Sequence, residues 1–171
     1  MRILKGTYAG RTLTSPGGRV RPTPEVVRDR CLSLIADELR GARVLDLFAG
    51  TGAVGLEALS RGARSVDFVE NGAPALHALK ANVAALHAKK WTRIFKRDAV
   101  RWVESLEEGL YRIAFVDPPY GSKKLDRVVE SWKEVPFADV LILEHDKDHD
   151  PAVEGKHYDF GGSTRVTVSR A

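Results

Sequence analysis

From residue 43 onward the chain alternates short apolar strands with helical segments, and no other feature restricts its fold as much. RVLDLF (43–48) reads as a compact strand, followed by Gly-rich AGTGAVG and a helix to about Ser60. SVDFVE (65–70) is a second strand, and Leu76, Leu79, Val83 and Leu86 mark the helix after it. WTRIFK (91–96), a short helix after Asp98, RIAFVD (112–117), a helix near 123–133 and DVLILE (139–144) continue the pattern. Strand and helix in alternation predict an α/β fold, with a mainly parallel sheet and helices on both faces. HYDF (157–160) and RVTVS (165–169) flank Gly161-Gly162 and read as a terminal antiparallel pair, which brings the sheet to seven strands.

The segment before residue 43 is different. Residues 2–14 hold two short stretches around Gly6 and Gly10 that suit a small hairpin. SPGGRVRPTP (15–24) is a loop, and a helix should start near Thr23-Pro24-Glu25. Val27, Cys31, Leu34, Ile35 and Leu39 recur at helical spacing, with Arg28 and Arg30 off that stripe. Residues 1–43 carry a net charge of +5 and the remainder −1, and the first 24 residues have five cations and no acid. Such asymmetry suggests contact with a polyanion, against a merely solvated basic end. At 171 residues the chain is expected to form one α/β body over 43–171, with a basic hairpin, loop and helix over 1–42 as an extension suited to a polyanion. A single cysteine excludes an internal disulfide and a Cys-based zinc site, and no apolar run reaches the length of a membrane span. A cytoplasmic monomer is expected.

Two constellations carry chemistry. Gly50-Thr51-Gly52-Ala53-Val54-Gly55 is a GxGxxG between a strand and a helix, and Glu70 ends the next strand. The glycines permit a tight turn and close approach by a ligand; the acid can accept the hydroxyls of an adenosine ribose. The pattern points to an adenosine-containing cofactor and leaves a dinucleotide and S-adenosylmethionine both open. The second is Asp117-Pro118-Pro119-Tyr120, where ligands bind in an open α/β sheet. The Asp side chain and the Pro118 carbonyl can accept hydrogen bonds from one exocyclic amino group, while the Tyr120 ring stacks on a flipped base. Cys31 reads as a core residue, Trp91, Trp102 and Trp132 as packing residues, and His145 and His149 as part of a solvated loop; no metal is implied.

Taken together, these residues resemble the class I S-adenosylmethionine-dependent methyltransferases that act on amino nitrogens. LDLFAGTG matches the cofactor loop, FVEN the ribose acid, RDAV the adenine turn and DPPY the catalytic motif. RILKGTYAGRTL, SPGG, RPTPEVVR, LEALSRGA, LILEHDKD and FGGSTRV narrow the resemblance to the bacterial RsmD family. That resemblance implies a Rossmann-like fold and transfer of a methyl group to N2 of a guanine in small-subunit (16S) ribosomal RNA, free or within a 30S subunit. Carried over, the cofactor residues are Asp46, Phe48, Gly50, Thr51, Gly52, Gly55, Glu70, Asn71, Asp98, Ala99 and Asp117. Asp117, Pro118, Pro119 and Tyr120 are the catalytic set. Arg2, Lys5, Arg11, Arg19, Arg21, Lys123 and Lys124 are the candidate RNA contacts, the two lysines being equally readable as a solvated helix start. The segment after DPPY is shorter than the family's, and VRDRCLSLI departs from its usual first helix. A nicotinamide oxidoreductase, an adenine-N6 methyltransferase and a non-catalytic ribosome-assembly factor remain as alternatives.

Overall fold

The computed structural model describes residues 1–16 and 24–171. The expected loop residues Arg19 and Arg21, and the candidate cap Thr23, lie outside the described residues. Seven strands form one sheet: β1 (Arg43–Leu47), β2 (Ser65–Glu70), β3 (Thr92–Lys96), β4 (Tyr111–Val116), β5 (Ala138–Asp146), β6 (Lys156–Asp159) and β7 (Thr164–Arg170). Their order is β3-β2-β1-β4-β5-β7-β6. The first five run parallel; β7 is antiparallel to β5, and β6 to β7. The order reverses between β1 and β4, which opens a crevice at their carboxyl ends.

Alternation along each strand explains the two cores. Val44, Phe68, Phe115 and Ile142 face α1 (Glu25–Leu34), α3 (Ala53–Ser60) and α4 (Ala73–Ala85). Leu45, Val69, Val116 and Leu143 face α5 (Ala99–Val103) and α6 (Lys124–Glu134). Period-2 side chains on strands buried from both sides give near-continuous apolar runs, as the sequence shows. None of the described helices is long and apolar enough to cross a membrane.

The N-terminal hairpin forms: Ile3 and Leu13 donate to the Arg11 and Met1 carbonyls, and Arg2 bridges Thr12. Its turn sits on the end of α3, where Thr7 N–H donates to the Ser60 carbonyl and Tyr8 N–H to the Ser60 hydroxyl. Gly6 adopts φ 86°, and a Cβ there would lie 1.8 Å from the Ser60 oxygen, so only glycine fits.

The first helix differs from its reading. It ends at Leu34, and a separate turn of helix, α2 (Ala36–Leu39), follows a break at Ile35 (φ −121°, ψ 22°). Val27, Cys31, Ile35 and Leu39 of the expected stripe are buried and Leu34 is half-buried against the core, but Arg28 and Leu32 join the buried face. Arg28, expected off the stripe, is 1% exposed. Its guanidinium faces the buried Glu57 of α3 at 3.5 Å, and its Nη2 donates to the Arg2 carbonyl. A buried cation is tolerated only beside an acid, and Glu57 supplies it. Two more corrections concern residues expected elsewhere. Trp91 ends a 3-10 turn ahead of β3 and is 39% exposed, so it is not a packing residue. His145 is buried in β5, held by Thr167 and the Asp146 carbonyl rather than solvated.

Candidate cofactor and catalytic site

The loop from Phe48 to Gly52 turns the chain from β1 into α3 at the crevice. It uses three left-handed residues: Phe48 at φ 58°, Gly50 at 56° and Gly52 at 78°. The three motif glycines serve different ends. A Cβ on Gly52 would meet the Leu79 side chain at 2.4 Å, and one on Gly55 would meet Phe68 at 2.4 Å and the Asp46 carboxyl at 2.9 Å. Gly52 lets the start of α3 pack closely on α4, and Gly55 lets α3 pack closely on the sheet. At Gly50 the nearest atom is 4.0 Å away, so this is the position that leaves room for a ligand against bare backbone.

Two carboxyl groups brace the loop. Asp46 lies in β1 below α3, and its Oδ2 accepts the Gly55 N–H at 3.0 Å. Burial pushes its carboxyl well above the usual range, and the charges of Asp117 and Glu70 add to the push. Glu70 accepts three backbone N–H groups: Gly50 at 2.8 Å through Oε2, then Asn71 at 2.8 Å and Gly72 at 2.7 Å through Oε1. A carboxylate offers about four acceptor sites, so one is left for a ribose hydroxyl. Accepting both hydroxyls of a ribose, as the sequence suggested, would require Glu70 to release a backbone partner. Thr51 is buried, and its carbonyl accepts from Asn82 of α4. Asp98 caps α5, taking the Arg101 N–H at 3.0 Å through Oδ1. Ala99 opens that helix, where a first-turn N–H has no partner within its own helix and can meet a ring nitrogen. Gly50, Glu70, Asp98 and Ala99 thus line the carboxyl ends of β1, β2 and β3, an arrangement that fits an adenosine moiety.

Asp117-Pro118-Pro119-Tyr120 follows β4 on the other side of the reversal. Pro118 is buried, Asp117 half-buried and Pro119 exposed, and the Ser122 hydroxyl closes the turn onto the Pro119 carbonyl at 2.8 Å. Tyr120 is 41% exposed. Its hydroxyl lies 3.4 Å from Glu144 of β5 and 3.3 Å from the Thr164 hydroxyl of β7, which tethers the hydroxyl end of the ring. Burial, with Glu144 and Asp117 nearby, pushes this phenol up to about 12. Cys31 lies under the same carboxylates. Burial, then the charges of Glu144 and Asp117, push its thiol up to about 12, so it stays protonated and is no nucleophile. Lys124 sits 5.9 Å over the Phe48 ring, and Lys123 precedes α6 beside it, so both lysines stand near the loop.

Among the described residues, the hairpin cations of the arm have partners of their own. Arg2 pairs with Glu25 at 3.8 Å, Lys5 with Asp29 at 2.7 Å, and Arg11 donates to the Ala85 carbonyl at 2.7 Å. A cleft of about 880 Å³ lies instead at the amino ends of β1–β3, lined by Arg43, Arg64, Lys90, Trp91 and Arg93, on the edge opposite the cofactor loop. The sequence reading missed Asn82, Glu57, Glu144 and Thr164. The first two are single polar residues inside apolar helical patterns, a signal that was visible; the last two are recognisable only once β5 and β7 are placed.

Known proteins share this sequence pattern and this fold. The family model described as Conserved hypothetical protein 95 matches residues 1–159. YlbH of Bacillus subtilis is 32% identical over 154 residues, 86% of this chain and 84% of that one. Ribosomal RNA small subunit methyltransferase D of Escherichia coli is 35% identical over 133 residues, 75% of this chain and 65% of that one. The solved structure of yhhF from Escherichia coli superposes with a TM-score of 0.86 at 29% identity, covering 98% of this chain and 96% of that one. A seven-stranded sheet of this order and a match over nearly the whole chain lead to one conclusion: this protein is a class I methyltransferase by fold and belongs to the Conserved hypothetical protein 95 family, the RsmD family that its sequence resembles.

Proposed function

We propose that this protein transfers a methyl group from S-adenosylmethionine to the exocyclic N2 of a guanine in small-subunit ribosomal RNA. The observation that carries this is the placement of Asp117-Pro118-Pro119-Tyr120, with an exposed Tyr120 ring, across the crevice from the Gly50 loop and Glu70. The name of the Escherichia coli relative supports the RNA class.

S-adenosylmethionine, when bound, supplies a methyl group already activated by a sulfonium charge. The remaining work falls to positioning and electrostatics. Glu70 and the backbone at Gly50 hold the ribose side, and Asp98 with Ala99 meets the adenine. The Tyr120 face stacks on the extruded base. An aryl amine is a weak nucleophile because its lone pair is conjugated with the ring. The Asp117 carboxylate and the Pro118 carbonyl accept its N–H bonds, favour a more pyramidal nitrogen and aim the lone pair at the methyl carbon. The nitrogen gains the methyl as the methyl's bond to sulfur breaks, and the methylated nitrogen then loses one N–H proton to solvent, so Asp117 need not take the proton before attack.

Lys123 and Lys124, beside the loop, contact RNA phosphate, and Arg19 and Arg21 add contacts from the arm, which makes residues 1–42 an RNA-binding extension of the body over 43–171. The enzyme acts as a cytoplasmic monomer on naked RNA or on an assembling subunit. Nucleoside mass spectrometry of ribosomal RNA from cells with and without the protein tests the reading. Loss of one N2-methylguanosine supports it; loss of N6-methyladenosine instead, or no change, overturns it.

A further inference from the structure

We propose that Glu144 is a specificity residue of this site: it accepts the N1–H of the target guanine while Asp117 holds the adjacent N2 amine. The inference rests on the guanine-N2 reading above and deepens it, because the Asp117 motif by itself serves an adenine amine equally well.

The placement comes from the sheet. β4 and β5 pair in parallel with Val116 opposite Leu143, so Asp117 and Glu144 follow side by side on neighbouring strands. Strands in such a pair run about 4.8 Å apart. Phe115 and Ile142, two residues earlier on each strand, belong to the core on the α1 side, and side chains repeat every second residue. Both carboxylates act electrostatically on Cys31 of α1 and on Tyr120, which puts the two acids around one spot. The Tyr120 hydroxyl lies 3.4 Å from Glu144 Oε1, so the residue that offers the stacking face also steadies the second carboxylate.

The chemistry of the base edge then decides. Guanine presents two neighbouring donors, N1–H and N2–H. Adenine presents its amine beside a bare N1 lone pair. An ionised carboxylate only accepts. Two acceptors side by side therefore match guanine, whereas with adenine the second faces a lone pair and loses its partner. A site built to hydrogen-bond a substrate N–H rejects an analogue lacking it strongly, because the site's own polar group is left unpaired.

The test replaces the target guanine by 2-aminopurine, which keeps the N2 amine and lacks N1–H. Reconstituted small subunits carrying either base are methylated by wild type, Glu144→Ala and Glu144→Gln, and kcat/KM is compared by mass spectrometry of the product nucleoside. Wild type should prefer guanine by about 10²-fold or more. In both variants the guanine rate should fall more than the 2-aminopurine rate, so the preference drops at least tenfold. Glu144→Gln should drop furthest, since its amide can donate to the bare N1. A merely structural role for Glu144 would slow both substrates together, and an unchanged preference in folded variants overturns the inference. S-adenosylmethionine binding and melting temperature establish folding; the isosteric Gln variant carries the test if Ala does not fold. Wild type that makes no N2-methylguanosine on the guanine subunit would instead overturn the function proposed above, so the two failures are distinct.

Discussion

Glu70 does two jobs with one carboxylate. It ties the Gly50 turn to the end of β2, and under the proposed function it also accepts from the cofactor ribose. Glu70→Ala should therefore weaken S-adenosylmethionine binding by about 2–4 kcal/mol, for the loss of charge-assisted hydrogen bonds and of loop order together. Calorimetry on the folded variant checks this, and an unchanged affinity would remove Glu70 from the ribose site. Asp117 should behave differently. Under the proposed function its carboxylate positions the acceptor amine, so Asp117→Ala should cut turnover by about 10²–10³-fold and leave cofactor affinity nearly intact. Single-turnover methylation beside a binding titration separates these effects; turnover near the wild-type rate would exclude Asp117-Pro118-Pro119-Tyr120 as the catalytic motif.

Elements are joined at a few buried polar residues. Glu57 of α3 accepts the Leu4 and Lys5 N–H groups of the hairpin at 2.8 and 3.0 Å and faces both Arg28 and Arg61. Asn82 of α4 accepts the Thr14 N–H and donates to the Thr14 and Thr51 carbonyls, which links the arm to the cofactor loop. Glu57→Ala would strand the buried Arg28 charge, at a cost of about 3–5 kcal/mol. Chemical denaturation should show it as a lowered midpoint; a loss under about 1 kcal/mol would mean that Arg28 finds water or another acceptor. The β5–β7 seam holds a histidine that couples folding to pH near neutrality. Burial holds the His145 imidazole below its ordinary value, so the folded state favours the neutral ring. An unfolded chain then binds more protons as pH falls through about 6.5, and stability is lost on acidification. Melting temperature should fall between pH 7 and 5 in wild type and fall less in His145→Gln. Parallel curves would place the titrating group elsewhere.

Charge belongs to the whole molecule. The sequence places the positive excess in residues 1–43, but the fold ties Arg2, Lys5 and Arg11 to its own acids and a carbonyl. Lys123 and Lys124 keep their place beside the cofactor loop. Changing both lysines to Ala should weaken RNA or subunit binding and lower the slope of log affinity against log salt by up to about 0.7–0.9 per lysine. Filter binding across a salt series checks this; superimposable lines would mean that neither ammonium meets phosphate. What the sequence determined was local in character. Period-2 apolar runs, a GxGxxG between strand and helix, and a strand-end Asp117-Pro118-Pro119-Tyr120 each have one geometry that suits their backbone, so the sheet, the loop and the motif were legible in order along the chain. Arg28 looked like a surface cation, Trp91 like a core residue and His145 like part of a loop, because periodicity reports which face a residue takes and not what covers that face. The tertiary structure decided those positions. It also set Glu144 beside Asp117 and let α3 cover Arg28 with Glu57, since residues 27 and 29 positions apart become neighbours only when strands pair and helices pack.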